Sequence, residues 1–311
     1  MMKTSPAEKF VAQMNHDGGV IVFTVRDDGT INGSESESWR FGLANPDIQA
    51  SINWLADGKL AVTQAGITRV YSFLPSENNW VFCPIETPYE GGDYFGSAGD
   101  GVTFVNIYCG QNLHRYEFEK KEGMWVHKTK WYVGRATSMS AVDNYGNVFV
   151  FCYKNDVKYF DFKHGQTDPT YQMDFGTRIA DILHIPLSSH QFHVFAVRFE
   201  VTDRIVILKI ERNSLGYTPS FTWIRTLEMS PIGTFGLMPN VDGHATFFVA
   251  HESGIEFRSV ALKGDEQRLE IEDLPSKIEI FDDFNPLAVT SVGHHIIFEV
   301  DGELESELVR S

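Results

Sequence analysis

Short apolar runs separated by polar turns recur along this sequence. Residues 136–171 show the pattern most clearly, with apolar runs at Ser138–Val142, Val148–Tyr153, Val157–Phe162 and Thr170–Met173. Runs of β-branched and aromatic residues that are bounded by Asn, Asp and Gly indicate strands joined by hairpins. We therefore interpret this stretch as four strands, A to D, and as the unit that the rest of the chain repeats.

The turn after strand B gives the number of repeats. Strand B is the most apolar run of each repeat, and a polar turn follows it at seven places: Asp28-Gly29, Ala65-Gly66, Cys109-Gly110, Asn155-Asp156, Thr202-Asp203, Ser253-Gly254 and Asp301-Gly302. The mean repeat of about 44 residues suits a propeller blade. The sequence therefore predicts an all-β fold, a seven-bladed β-propeller with four-stranded antiparallel blades. One domain is expected over 1–311, with blades near 9–43, 48–87, 92–133, 136–176, 178–229, 232–274 and 278–311.

Large side chains recur on strand D, once in each of six successive repeats. They are Trp39, Trp80, Trp125, Tyr171, Trp223 and Leu269. Aromatic side chains that repeat at one register are expected to pack between neighbouring sheets as a hydrophobic plug. We predict that this set is buried.

The last repeat has no evident strand D. Its strand C is predicted at Glu303–Val309, and Met1–Ser5 could add a short strand to it. Three glutamates share one side of this strand C: Glu303, Glu305 and Glu307. Charges along an exposed edge keep a sheet from pairing with other strands. The sequence thus predicts a three-stranded or weakly completed last blade with an exposed acidic edge.

Repeat length, turn placement and strand order resemble the WD-repeat class of propellers over essentially the whole chain. The resemblance is one of architecture, because no blade carries the Gly-His or Trp-Asp signatures of that class. A second resemblance is to the fungal fucose-binding propeller lectins, on the stretch Gly101–Val126 with its Leu113 and Trp125. Those lectins bind sugar through an Arg on the second strand, and strand B here has no recurring Arg.

Composition narrows the classes of partner. The chain has 26 basic and 42 acidic residues and a net charge of −16. This argues against direct binding of nucleic acid or an anionic membrane, since both need a basic surface. The cysteines Cys83, Cys109 and Cys152 have no close spacing, which is typical of reduced core residues. No apolar leader or membrane-spanning run is evident, so a cytoplasmic or nuclear location is expected.

The sequence offers no constellation for catalysis. It has no Gly-x-Ser-x-Gly elbow and no Gly-x-Gly-x-x-Gly phosphate loop. His190 and His193, or the adjacent His294 and His295, are better explained as turn and strand residues than as ligands of a shared ion. We therefore predict no catalytic residue, no metal site and no cofactor, and a protein that is not an enzyme.

Surface features favour protein binding. The connections between blades carry aromatics and an arginine, which are common at protein-binding hot spots. Residues 265–311 contain 13 acidic and three basic side chains, which suits a partner with a basic segment. The candidate partner-binding residues are Tyr89, Tyr94, Phe95, Tyr132, Arg135, Phe284, Glu303, Glu305 and Glu307. The predicted function is a non-enzymatic interaction scaffold, a propeller subunit of a larger assembly. A carbohydrate-binding lectin and a propeller enzyme with a site at the central channel are the alternatives.

Overall fold

The structure is a computed structural model that contains β-strands and no helix in the residues it describes. These residues are 2–14, 18–31, 38–41, 51–64, 67–86, 95–109, 111–136, 138–141, 148–161, 171–185, 192–202, 204–211, 220–228, 233–241, 244–264, 269–273, 277–279, 284–301 and 303–309. The strands form seven antiparallel sheets, each built from consecutive strands of the chain. The predicted fold class is confirmed: the chain is all-β with seven blades, and the last blade has three strands.

Contacts between Cα atoms group the residues into two compact units. The first comprises Met1–Arg135, Asn144–Gly146 and His295–Val309, and the second comprises Ala136–Asp143, Asn147–His294 and Arg310–Ser311. The expected single domain over 1–311 stays a prediction, and the two units are described separately below.

The first unit contains three complete blades and the two outer strands of the seventh. Blade one has β1 (Met2–Thr4), β2 (Phe10–Met14), β3 (Val20–Thr24) and β4 (Ser38–Phe41). Blade two has β5 (Ser51–Trp54), β6 (Leu60–Gln64), β7 (Ile67–Leu74) and β8 (Asn79–Cys83). Blade three has β9 (Phe95–Ala98), β10 (Phe104–Cys109), β11 (Asn112–Glu119) and β12 (Met124–Tyr132). From blade seven this unit contains β27 (His295–Val300) and β28 (Glu303–Leu308).

The second unit contains blades four to six and the first strand of blade seven. Blade four has β13 (Ser138–Ala141), β14 (Val148–Tyr153), β15 (Asp156–Asp161) and β16 (Tyr171–Asp174). Blade five has β17 (Ile179–Ile185), β18 (Phe192–Phe199), β19 (Arg204–Glu211) and β20 (Ser220–Glu228). Blade six has β21 (Thr234–Val241), β22 (His244–His251), β23 (Gly254–Gly264) and β24 (Leu269–Asp273), and β25 (Lys277–Glu279) also pairs with β23. The first strand of blade seven is β26 (Phe284–Val292).

The N-terminal strand belongs to blade one, not to blade seven. β1 pairs with β2, so that Lys3 lies opposite Ala12. The Ser5 Oγ atom closes this hairpin by accepting hydrogen bonds from the backbone N–H groups of Lys9 and Phe10, both at 3.1 Å. β1 also contacts blade two, because the Trp54 Nε1–H donates to the Lys3 carbonyl oxygen at 2.9 Å. The sequence predicted β2 and β3 as strands A and B of the first repeat. Because β1 precedes them in the sheet, they are the second and third strands of blade one.

The predicted aromatic plug is correct for two of the six positions. Trp80 lies opposite Phe73 and Trp125 lies opposite Phe118, and the two indoles are only 7% and 1% exposed. Trp80 packs with Phe10 in an aromatic cluster between blades one and two, with ring centroids 5.1 Å apart. Burial of such large apolar side chains is a main source of stability for the stacked sheets.

The other positions do not share that register. Trp39 lies opposite Val22, in the middle of its partner strand β3, although its ring also packs on Trp80. Trp223 lies opposite Leu208, next to a bulge in the β19–β20 pairing, and it is 51% exposed. Trp223 is therefore not a plug residue. The backbones of Tyr171 and Leu269 pair with Tyr159 and Gly264, and their side chains lie outside the described structure.

Turns also join neighbouring blades. Lys59 forms an ion pair with Asp57 in the first turn of blade two, and its ammonium group donates to the Gly101 carbonyl oxygen of blade three at 2.6 Å. Gly101 has a φ of +73°, and a Cβ there would lie 1.8 Å from Asp57 Oδ1. The left-handed backbone of this turn therefore favours glycine, and a larger residue would also have to displace the Asp57 carboxylate.

Candidate protein-binding site

The predicted acidic edge is the outermost strand of blade seven. β28 pairs with β27 in an antiparallel register that sets Val300 opposite Glu303 and His295 opposite Leu308. Among the described residues, no strand pairs with the other side of β28. Every second residue of an edge strand directs its N–H and C=O groups away from the sheet, where they can bond to another strand.

From Glu303 to Glu307 the side chains of β28 alternate between protein and solvent, and Leu308 after them is 48% exposed. Leu304 is buried, and Ser306 is partly buried on the same side of the strand. The three glutamates on the other side are all exposed: Glu303, Glu305 and Glu307. This alternation is the period-two pattern of a strand with one face toward the core. The structure thus brings these three predicted site residues together in one row.

The strand β27, which pairs with β28, is anchored in the core. Ile296, Ile297 and Phe298 of β27 are buried. Glu299 of the same strand is also buried, and it accepts a hydrogen bond from the buried side-chain amide of Gln13 on β2. Buried apolar contacts and a buried hydrogen bond fix β27, so β28 is presented from a rigid support.

The electrostatic environment of the edge is negative. The sequence has no Lys or Arg between Lys277 and Arg310, while it has eight acidic residues in that interval. Asp301 extends the row, because it lies exposed in the turn that precedes β28. Close acidic groups create a negative potential that attracts cationic side chains and repels a second acidic strand.

Two further candidates form a separate patch on blade three. Tyr132 ends β12 and is 65% exposed, and its hydroxyl donates to Gln111 Oε1 at 3.0 Å. Arg135 follows three residues later and is also exposed. The segment between them is held by hydrogen bonds from the N–H groups of Val133 and Gly134 to the Gln111 carbonyl oxygen, at 3.0 and 3.1 Å. Tyr132 and Arg135 therefore stay candidates, on a different blade from the glutamate row.

Phe284 is buried at the start of a strand, and this differs from the exposed position that the sequence predicted. The sequence placed it in an exposed connection, but it is the first residue of β26 and its ring is 8% exposed. The strand includes Pro286, whose carbonyl oxygen accepts a hydrogen bond from Thr234 Oγ1 at 2.6 Å. A Pro near the start of a strand lacks an N–H donor, but its carbonyl oxygen can still accept a hydrogen bond.

The remaining predicted aromatics cannot be placed as side chains. Tyr89 and Tyr94 lie outside the described residues. Phe95 begins β9, where its backbone pairs with Cys109, and its ring is not described. An exposed aromatic that the sequence missed is Trp223, which packs on Phe175 with ring centroids 6.0 Å apart. The bulge that sets its register leaves no recognisable mark in the sequence.

In the described part of the chain, no group of three or more His, Cys, Asp or Glu side chains could hold a metal ion. His114 Nδ1 lies 3.2 Å from His127 Nε2, a hydrogen bond between two rings. Burial lowers the pKa of His184 to about 4, and burial raises the pKa of the Cys152 thiol. Both groups are therefore neutral near pH 7.

None of the described residues belongs to a helix that is long and apolar enough to cross a bilayer.

Solved structures have the same fold at low sequence identity. A chain of a mitotic checkpoint complex has a TM-score of 0.65 and 11% identity, covering 100% of this chain and 87% of that chain. The β-propeller domain of Cps50 (Swd1) from Myceliophteria thermophila has a TM-score of 0.58 and 8% identity, covering 99% and 96%. The WD40 domain of SCAP from fission yeast has a TM-score of 0.51 and 10% identity, covering 98% and 83%.

Sequence comparisons give no closer relationship. No protein-family model matches the chain, and no curated protein sequence matches it either. Structural likeness at such low identity establishes the fold alone. The predicted resemblance to the WD-repeat class is confirmed at the level of architecture, and the chain has a WD40-like, seven-bladed β-propeller fold.

Proposed function

We propose that this protein is a non-enzymatic interaction scaffold, a propeller subunit of a larger assembly that binds a protein partner through strand β28. The observation that carries the proposal is the exposed row of Glu303, Glu305 and Glu307 on an outermost strand. The row is matched to a partner with a basic segment, since opposite charges across an interface steer association and exclude wrong partners.

The negative charge of β28 disfavours two other binding partners, a second copy of this strand and nucleic acid. Two β28 strands from separate copies would place glutamates against glutamates, and like charges directly opposite each other destabilise a strand pair. Nucleic acid would meet the same repulsion from its phosphates. A basic polypeptide is the partner that the row favours.

The structural neighbours support this role at the level of the fold. One of them is a chain of a mitotic checkpoint complex, so a propeller of this shape is used inside a multi-protein assembly. A propeller carries exposed edges and loops on a rigid framework, which suits a protein that holds other chains in place.

The proposal is tested by comparing partner capture between charge variants. The test variant is Glu303→Lys/Glu305→Lys/Glu307→Lys. The control variant is Glu77→Lys/Glu122→Lys/Glu252→Lys, which makes the same charge change in three exposed turns on other blades. Proteins retained from native extract by each immobilised chain are identified by mass spectrometry.

We expect a protein that contains a basic segment to be retained by the wild type and the control but not by the edge variant. Its retention should also fall as salt is raised, because the contact is electrostatic. If the edge variant, correctly folded by circular dichroism, retains the same proteins as the wild type, β28 is not the binding site and the proposal fails.

A further inference from the structure

Blades two and three, which lie in the same compact unit as β28, indicate what a fourth strand next to β28 would look like. In blade two β8 pairs with the outer edge of β7, and in blade three β12 pairs with the outer edge of β11. β28 has the equivalent place in blade seven, and no described residue pairs with its outer edge. An added strand would use the backbone groups that β28 directs outward.

The register of such a strand follows from the turns. Two residues separate the paired ends Gln64 and Ile67 in blade two, and two separate Cys109 and Asn112 in blade three. Two residues also separate Val300 and Glu303 in blade seven. Because the turn lengths are equal, Ile67, Asn112 and Glu303 are equivalent positions.

This equivalence places an aromatic residue in the added strand. The sixth residue after each of the starting positions is Phe73 in blade two, Phe118 in blade three and Val309 in blade seven. The outer strand sets Trp80 opposite Phe73 and Trp125 opposite Phe118, and both indoles are buried. The residue opposite Val309 therefore corresponds to the buried tryptophans of blades two and three, which lie in the same compact unit as β28.

The three glutamates of β28 indicate which positions after the aromatic residue should carry a positive charge. In an antiparallel strand the positions two, four and six residues after it lie opposite Glu307, Glu305 and Glu303, on the same face. In blade three the exposed Lys130 lies opposite His114, the residue equivalent to Glu305, so a lysine fits on the outer strand at this place, although a bulge there sets it five residues after Trp125. Opposite charges at directly paired positions stabilise a sheet.

We propose that β28 is completed by an antiparallel strand from the partner protein, with the pattern aromatic-x-basic-x-basic-x-basic. The proposal rests on the proposed function, and it adds the mode of binding and the sequence chemistry of the bound segment. The aromatic sets the register, and the basic residues select for the glutamate row.

The probe is a synthetic peptide, acetyl-Trp-Thr-Lys-Thr-Lys-Thr-Lys-amide, labelled with a fluorophore and titrated with the full chain by fluorescence anisotropy. A register control exchanges its Lys and Thr positions, so that the cations lie on the opposite face. Two more peptides carry N-methyl groups on alternate backbone nitrogens, one peptide for each phase. In an added strand only one phase of N–H groups faces β28, so only one of these two peptides should lose binding.

We expect the register control and one methylated peptide to bind at least tenfold more weakly than the probe. Binding of the probe should also slow the hydrogen exchange of backbone amides in Glu303–Val309. No measurable binding of the probe, or equal affinity of the two methylated peptides, would overturn strand addition. The capture experiment decides the proposed function separately: if capture still depends on the glutamates when strand addition fails, the scaffold role stands and only the binding mode is wrong.

Discussion

Gln13 on β2 donates a side-chain hydrogen bond to the Glu299 carboxylate on β27, and both side chains are buried. This bond joins the first blade to the seventh within one compact unit. A buried carboxylate that loses a donor keeps its desolvation penalty without the compensating bond, so the pair is sensitive to change on either side.

Gln13→Ala is expected to lower the free energy of unfolding by about 1–3 kcal/mol, because it removes the amide donor from buried Glu299. Gln172→Ala is the matched control, since Gln172 is exposed on β16. Urea denaturation followed by circular dichroism measures both. Equal midpoints for the two variants would mean that the Gln13–Glu299 bond does not contribute to stability.

Trp80→Ala and Trp125→Ala should each cost about 3–5 kcal/mol, because each leaves a cavity between packed sheets. Trp223→Ala should cost about 1 kcal/mol or less, since half of that indole is already in solvent. Denaturant unfolding of the three variants provides the comparison. A loss at Trp223 as large as those at Trp80 and Trp125 would contradict the register derived from the strand pairing.

His184 is expected to make stability depend on pH. Burial lowers its pKa to about 4, so the folded state resists protonation at a site that ordinarily titrates near pH 6.5. The contribution of His184 to the free energy of unfolding is fully present above pH 6.5. As the pH falls from 6.5 to about 4, this contribution is lost, and the free energy of unfolding falls by at most about 3 kcal/mol. The wild type should therefore lose more stability over this interval than His184→Gln. His244→Gln, at an exposed histidine, is the control, and it should follow the wild type.

Gly29→Ala should destabilise the fold more than Gly58→Ala. Both glycines have left-handed backbones, with φ of +84° and +85°, and alanine in that conformation costs about 1–2 kcal/mol. A Cβ at position 29 would also lie 2.5 Å from His295 Nδ1, whereas nothing lies within 4 Å of one at position 58. Thermal unfolding gives the difference, and adding His295→Ala to each variant should abolish it. A difference that persists in that background would show that His295 is not its cause.

The seven blades could be predicted because turn chemistry is local. An Asp-Gly pair or a similar turn acts within four residues, so it marks a hairpin whatever the rest of the chain does. β1 was placed wrongly because three residues carry no periodic signal and a single Ser5 hydroxyl closes its hairpin. The position of β1 depends on two hydrogen bonds that join Lys3 to Trp54 and Asn53 of the next blade. The sequence does not reveal these tertiary contacts.

The candidate site was only partly predictable. The glutamate row followed from strict alternation, since a strand with Leu304 inward must direct Glu303 and Glu305 outward. Phe284 was misplaced because the start of a strand next to a proline depends on a tertiary hydrogen bond from Thr234. The exposure of Trp223 depends on a bulge, which shifts a register by one residue without a change in hydrophobic pattern.

The position of β1 decides where an affinity tag can be attached. Met2 is buried, so a tag fused directly to Met1 would continue a strand that begins inside the first blade. The turn Pro75–Asn78, between β7 and β8, is exposed at all four positions. A tag inserted in this turn would leave both β1 and β28 unaltered, and it is the preferred handle for purifying the protein with its partners.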